Sequence, residues 1–215
     1  SWGKGKYPFS QDFAYDDTVW GFAVATQTRF HADDKRLHIT GLSQGAMMSF
    51  RLAFAHAERI ASIAPISGPS GFADPSPFGG ATPTNDVPSR KVPILYIHGT
   101  KDKELEFDKN AIVLRDEIVK TYGLGVPDTL RSETSLRAYA YRVGPGAIFE
   151  FWEHDYATTN LNTVGGHCVP GPIEAGDGVL VAKPPSARPF RCVDPNQTLD
   201  AGTEILRFFK EHPLP

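Results

Sequence analysis

The sequence has little cysteine, no long apolar run and no marked excess of either charge. No stretch approaches the roughly 18 consecutive apolar residues that a helix needs to cross a bilayer, so we expect no membrane protein. A formal net charge of −3, with acidic and basic residues interspersed, gives no electrostatic basis for binding nucleic acid or an anionic membrane. The length of 215 residues suffices for one domain with a hydrophobic core, and we expect a single domain over residues 1–215.

The two cysteines, Cys168 and Cys192, flank a stretch rich in glycine and proline that cannot form regular structure. They are either disulfide-bonded or two buried thiols. A disulfide would close this loop and contribute about 3 kcal/mol through loop entropy. We favour the disulfide, and with it a secreted protein, extracellular or periplasmic. His167 adjoins Cys168, but two cysteines without clustered ligand spacing do not predict a metal site.

Apolar periodicity predicts alternating helices and strands along the chain. We expect helices over residues 18–30, 46–58, 107–122 and 199–210, and strands over 36–40, 60–66, 92–97, 136–142 and 148–154. This alternation predicts an α/β fold with a mostly parallel sheet flanked by helices. The residues expected to face the core are Val19, Phe22, Ala23, Thr26 and Phe30 in the first helix, and Leu199, Leu206 and Phe209 in the last.

The segment Gly41-Leu42-Ser43-Gln44-Gly45 carries most information about function, because it joins a predicted strand to a predicted helix. A Gly-x-Ser-x-Gly in that setting is typical of a nucleophile elbow, a tight turn that strains the serine backbone and exposes its Oγ. The glycines on either side let strand and helix pass closely. Ser43 is therefore the candidate nucleophile, and the alternative is a structural turn serine.

A serine hydroxyl needs a general base, and the base needs a partner that fixes its tautomer. In a hydrolase of this architecture the acid and then the histidine follow the serine along the chain. Asp102 comes just after the strand predicted over 92–97, and His167 lies in a glycine-containing loop beyond the last strand. The sequence therefore predicts a Ser43–His167–Asp102 triad.

Other residues compete for these roles. Glu104 and Asp108 lie near Asp102 but further into the next turn and helix. His154 is the rival of His167 as general base. His98 precedes a glycine, as in an oxyanion loop, but its place just before the acid turn favours a structural role. The remaining histidines are expected to be solvated or structural: His31, His38, His56 and His212.

Several motifs in the right order resemble one enzyme family. They are Asp16-Asp17, Gly41-Leu42-Ser43-Gln44-Gly45-Ala46-Met47-Met48, Ile63-Ala64-Pro65-Ile66-Ser67-Gly68, Pro93-Ile94-Leu95-Tyr96-Ile97-His98-Gly99-Thr100-Lys101-Asp102, Gly165-Gly166-His167 and Pro170-Gly171. Together they resemble the secreted α/β-hydrolase esterases grouped as poly(3-hydroxybutyrate) depolymerases, feruloyl esterases and acetylxylan esterases. The similarity runs from about Asp16 to the C-terminus.

The resemblance implies an α/β-hydrolase fold and a serine esterase that needs no cofactor. Its substrate would be a polyester, such as polyhydroxybutyrate or a synthetic terephthalate polyester, or a feruloyl or acetyl ester of plant cell wall. The backbone N–H of Gln44 would stabilise the oxyanion. Trp152, Phe72 and Phe78 are candidates for lining the substrate pocket, although each could simply pack in the core or a loop. The alternative is a non-catalytic ester- or carbohydrate-binding relative with a relict triad.

Two departures from the family pattern stand out. Relatives have several strands before the region that matches Asp16, and a loop among them supplies the first oxyanion donor. We therefore expect an N-terminally shortened domain, with a complementing N-terminal fragment or an oligomer as partner. Cys168 and Val169 replace the Thr-Trp pair that often follows the histidine in relatives. The pocket is then either wider or closed by the disulfide.

Overall fold

The computed structural model describes residues 14–68, 88–171 and 190–215. Its strands form one six-stranded mixed sheet with the order β1-β2-β3-β6-β5-β4. The strands are β1 (His38–Leu42), β2 (Ser62–Ile66), β3 (Ile94–Gly99), β4 (Asp128–Glu133), β5 (Leu136–Val143) and β6 (Gly146–His154). The helices are α1 (Ala14–Arg29), α2 (Gln44–Ala55), α3 (Val113–Tyr122) and α4 (Ala201–Glu211). A π-helical turn over Asp108–Ile112 leads into α3.

Four strands, β1, β2, β3 and β6, run parallel to one another. Every residue of β2 and β3 is buried, as expected of parallel strands covered on both faces. The strand predicted over residues 60–66 is thereby confirmed, with β2 beginning at Ser62. The carboxyl ends of these four strands meet at one edge of the sheet, where open α/β sheets bind ligands.

The other half of the sheet is antiparallel, because β5 pairs with β6 and β4 pairs with β5. The sequence did not predict β4, whose segment Asp128–Glu133 is mostly polar. This strand lies at the edge of the sheet and most of its residues are exposed, so it lacks the apolar alternation that marks a half-buried strand.

The hydrophobic core lies on both faces of the sheet. On one face, α2 and α3 pack against the strands, with Phe50, Tyr96 and Phe151 among the buried rings. On the other face, α4 covers a second cluster that includes Trp152 and Phe208. In the parts of the chain that the structure describes, no helix is long and apolar enough to span a bilayer.

The predicted inward face of α1 is wrong for Phe22 and Phe30, whereas Val19, Ala23 and Thr26 are half-buried. Phe22 and Phe30 are 74% and 70% exposed. The helix contacts the core through Val19, as predicted, and through Trp20, whose ring stacks on His56 at a centroid distance of 3.8 Å. Periodicity finds an apolar stripe, but the tertiary partner decides which side of the helix is buried.

The face of α4 is also displaced from the predicted one. Leu206 is 59% exposed, whereas Ile205 and Phe208 are buried and Phe209 is partly buried against the same cluster. Asp200 caps the helix by accepting hydrogen bonds from the backbone N–H groups of the first turn. The prediction is thus confirmed for Leu199, which is buried just before α4, and is wrong for Leu206.

Candidate active site

Ser43 occupies a strained turn between β1 and α2. Its φ of 57° is a conformation that residues other than glycine rarely adopt. The turn is held by the Ser43 N–H, which donates to the Ile66 carbonyl at 2.9 Å. Gln44 begins α2, so its backbone N–H has no acceptor within the helix. This is the geometry expected of a nucleophile elbow.

The strand and helix of the elbow approach each other most closely at Gly41. A Cβ added to Gly41 would lie 2.5 Å from the Gly45 carbonyl carbon and 2.7 Å from the Gly45 Cα. A Cβ added to Gly45 would have no atom within 4 Å. The close approach therefore requires glycine at Gly41, whereas Gly45 contributes only the backbone that Gly41 meets.

We expect opposite effects from alanine at these two glycines. Gly41→Ala should destabilise the fold by about 3 kcal/mol, because its Cβ meets backbone that cannot rotate away. Gly45→Ala should leave stability unchanged or raise it by up to about 1 kcal/mol, since alanine is the better helix former. Urea unfolding of the two variants measures the difference, and equal losses of stability would contradict this account of the elbow.

Asp102 and His167 form a buried pair at the same edge of the sheet. His167 Nδ1 donates to Asp102 Oδ2 at 2.7 Å, and the two residues are 1% and 4% exposed. Asp102 Oδ1 accepts the backbone N–H groups of Glu104 and Leu105 at 2.9 and 2.8 Å. The competing carboxylates of Glu104 and Asp108 are exposed. The structure thus brings together the acid and histidine that the sequence singled out.

The hydrogen bonds around Asp102 keep its carboxyl group ionised. Burial alone would raise the pKa of this carboxyl. The hydrogen bonds from His167 and His98 and from the Leu105 N–H outweigh burial and hold the pKa well below its usual range. An ionised Asp102 can accept a hydrogen bond from the Nδ1–H of His167, which leaves His167 Nε2 unprotonated and able to act as the base.

Two glycines bring the His167 loop against the turn that carries Asp102. Gly165 has a φ of 56°, and Gly166 donates its N–H to the Lys101 carbonyl at 2.8 Å. A Cβ added to Gly166 would lie 2.9 Å from the backbone nitrogen of Asp102. The Gly-Gly-His sequence is therefore needed because backbone contacts backbone immediately before the histidine.

The predicted disulfide between Cys168 and Cys192 is present, and the residue next to His167 is thereby fixed to the segment before α4. Next to the two cysteines along the chain, Val169 and Arg191 form a backbone β-bridge. The Phe190 ring packs edge-on against His167 at a centroid distance of 5.8 Å. Sequence reasoning missed Phe190, and only its closeness to Cys192 along the chain could have indicated it.

Ser43 and Asp102 follow strands β1 and β3, which β2 separates. With neighbouring strands about 4.8 Å apart, β1 and β3 lie roughly 10 Å from each other in the sheet. His167 is hydrogen-bonded to Asp102, but the structure shows no hydrogen bond between the described side chains of Ser43 and His167. Catalytic hydrogen bonds are often long in free enzymes and tighten when substrate binds.

Three residues were predicted to line the substrate pocket, and the structure describes one of them. Trp152 is 3% exposed, packs in the core cluster beneath α4 and donates its Nε1–H to Glu150 at 3.0 Å. Its role in substrate binding stays a prediction. Phe72 and Phe78 lie outside the described residues.

His154, the rival of His167, is sealed inside the protein. It is 0% exposed and stacks on Tyr156 at a centroid distance of 5.3 Å. Neither of its ring nitrogens has a hydrogen-bond partner among the residues that the structure describes. Burial lowers the pKa of His154 to about 3, so this imidazole is neutral in the folded protein.

We expect His154 to make the protein less stable in acid. The unfolded chain takes up a proton at His154 below a pH of about 6.5, whereas the folded protein does not. This contribution to the free energy of unfolding is therefore complete above pH 6.5 and declines towards pH 3, by roughly 5 kcal/mol in total. Urea unfolding from pH 7.5 to pH 4 should show a shallower pH dependence for His154→Leu than for the wild type. Identical slopes would contradict the assignment.

Comparison with known proteins supports the architecture. Residues 23–114 match the model of a phospholipase/carboxylesterase family. A bifunctional acetylxylan esterase/xylanase of Neocallimastix patriciarum is 33% identical over 95 residues, which are 43% of this chain. The chain spans only 12% of that relative's length.

This chain is also similar to solved structures. An acetyl xylan esterase from Aspergillus awamori matches 65% of this chain and 60% of its own, with a TM-score of 0.51 and 17% identity. An acylaminoacyl peptidase from Pyrococcus horikoshii matches 49% of this chain and 21% of its own, with a TM-score of 0.37 and 19% identity. Together with the mixed six-stranded sheet and the strand–turn–helix at Ser43, the first of these structures shows that this chain has the α/β-hydrolase fold.

Proposed function

We propose that this chain is a serine esterase, a carboxylic ester hydrolase with a Ser43–His167–Asp102 triad in one α/β-hydrolase domain. The observation that carries the proposal is the buried hydrogen bond between His167 and Asp102, at the sheet edge that also carries the strained Ser43. The match to a phospholipase/carboxylesterase family over residues 23–114 supports ester hydrolysis.

In the proposed reaction, Ser43 Oγ attacks the ester carbonyl while His167 Nε2 takes the serine proton. Asp102 accepts the Nδ1 hydrogen bond and stabilises the imidazolium that forms. The Gln44 N–H, at the positive end of α2, stabilises the oxyanion. His167 then gives its proton to the leaving alcohol, and water, activated by His167, hydrolyses the acyl-enzyme. None of these steps needs a metal or an organic cofactor.

Acetylated plant polysaccharide is the substrate that we propose first. Two relatives that are similar to this chain carry acetylxylan esterase in their names. The sequence motifs also resemble feruloyl esterases and polyester depolymerases, whose substrates need the same triad. A secreted location suits polymeric substrates of all these kinds and the disulfide, which persists in oxidising compartments.

Hydrolysis of a short p-nitrophenyl ester by the purified chain tests the proposal. We expect turnover that is lost on unfolding in urea, followed by acetate release from acetylated xylan in preference to ferulate release or hydrolysis of polyhydroxybutyrate. A folded sample that turns over none of these esters would contradict the proposed function and favour a non-catalytic relative with a relict triad.

A further inference from the structure

A second imidazole, that of His98, lies next to Asp102, and the proposed reaction does not use it. His98 Nε2 lies 3.3 Å from Asp102 Oδ2, the same oxygen that accepts His167 Nδ1. His98 is 0% exposed at the end of β3, and the Phe107 ring packs edge-on against it at 5.8 Å. A buried donor in this place acts on the carboxylate rather than on solvent.

The hydrogen bonds of His98 define which of its nitrogens carries the proton. His98 Nε2 lies 2.9 Å from the Leu105 carbonyl oxygen, which can only accept a hydrogen bond, so Nε2 carries the proton. His98 Nδ1 then accepts a hydrogen bond from the Tyr96 hydroxyl at 2.7 Å. Burial raises the pKa of Tyr96, so the phenol keeps the proton that it donates.

The Nε2–H of His98 therefore faces two acceptors, the Leu105 carbonyl and Asp102 Oδ2. Leu105 also donates its own N–H to Asp102 Oδ1 at 2.8 Å. His98 and the Leu105 backbone thus contact opposite oxygens of one carboxylate and each other. This arrangement opposes rotation of the carboxylate about its Cβ–Cγ bond.

We propose that His98, with its tautomer set by Tyr96, is a positioning residue that orients Asp102 to receive the Nδ1–H of His167. The inference rests on the proposed function, because the oriented carboxylate matters for turnover only if His167 is the general base. A misplaced partner of a catalytic group can reduce turnover about a hundredfold without affecting substrate binding.

Three variants test the proposal. His98→Leu removes the donor, and we expect kcat to fall roughly tenfold to a hundredfold with an unchanged KM. His98→Gln loses the same ring packing but keeps an N–H near the Nε2 position, so most of kcat should return. Tyr96→Phe keeps the ring but no longer fixes the His98 tautomer, and we expect a smaller, severalfold loss of kcat.

Proton NMR supplies a readout that is independent of turnover. The Nδ1–H of His167, hydrogen-bonded to Asp102, should give a downfield resonance that moves in His98→Leu and stays near the wild-type position in His98→Gln. Equal losses of kcat in both His98 variants, or an unchanged resonance in His98→Leu, would overturn the proposal. If the His98 variants do not fold, Tyr96→Phe decides, and wild-type kcat and resonance there would overturn it.

The outcomes also separate this inference from the proposed function. If the wild type hydrolyses no ester but its His167 resonance responds to the His98 variants as expected, Asp102 is positioned as proposed and the esterase assignment fails. If the wild type is active and neither kcat nor the His167 resonance changes in the His98 variants, the esterase assignment stands and the positioning role fails.

Discussion

Replacing Ser43 with alanine should lower kcat/KM for an activated ester by about 10⁵-fold to 10⁶-fold, the effect seen when a serine nucleophile is removed from a triad. The hydroxyl forms the acyl-enzyme, and no neighbouring group can substitute for it in the proposed reaction. Folding should be preserved, because alanine removes a single hydroxyl from a half-buried position outside both core clusters. Initial rates with a p-nitrophenyl ester, together with an unfolding curve, measure both effects.

Ser67 provides a matched control for Ser43. It follows the neighbouring strand β2 and also has a positive φ, 46°, and its buried hydroxyl has no hydrogen-bond partner within residues 14–68, 88–171 and 190–215. Ser67→Ala should therefore retain most of the activity. Loss of turnover in Ser67→Ala together with retention in Ser43→Ala would show that the elbow serine is not the nucleophile.

Asp102→Asn should lower kcat by about 10⁴-fold, as removal of the charge does in a serine triad. An asparagine amide offers both a donor and an acceptor, so His167 can adopt the tautomer whose Nε2 carries a proton and cannot act as a base. The asparagine also loses the ionised form that the hydrogen bonds from His167 and His98 favour in Asp102. Steady-state rates on the same ester, measured at pH 7 to 8, give the loss directly.

The neighbouring carboxylates give the controls for Asp102. Glu104→Gln and Asp108→Asn change exposed side chains of the same turn and the following helix, and they should retain nearly all activity. A variant of either residue that loses as much activity as Asp102→Asn would place the acid elsewhere and contradict the assignment.

The sequence predicted the central site segments because each carries a backbone requirement. Gly41 must be glycine where strand and helix touch, and Gly165 and Gly166 must be glycine where the histidine loop meets the acid turn. Such requirements leave a local pattern that can be recognised without the fold. The buried parallel strands were equally visible, because burial on both faces produces continuous apolar runs.

Structural features that depend on residues distant along the chain could not be predicted from the sequence. The buried side of α1 follows from the stacking of Trp20 on His56. The buried side of α4 follows from the packing of Phe208 in the core. The edge strand β4 has few apolar residues and exists through pairing with β5. The contact of His98 with Asp102 joins residues four apart across a turn whose shape no periodicity predicts.

Covalent labelling with a fluorophosphonate tests the central claim most directly, because the probe reacts only with a serine that a neighbouring base activates. We expect one adduct per folded chain, located by mass spectrometry on the peptide that contains Ser43, and no adduct after unfolding or in Ser43→Ala. A folded chain that takes up no label, or that carries it on another serine, would contradict the account of Ser43 as an activated nucleophile.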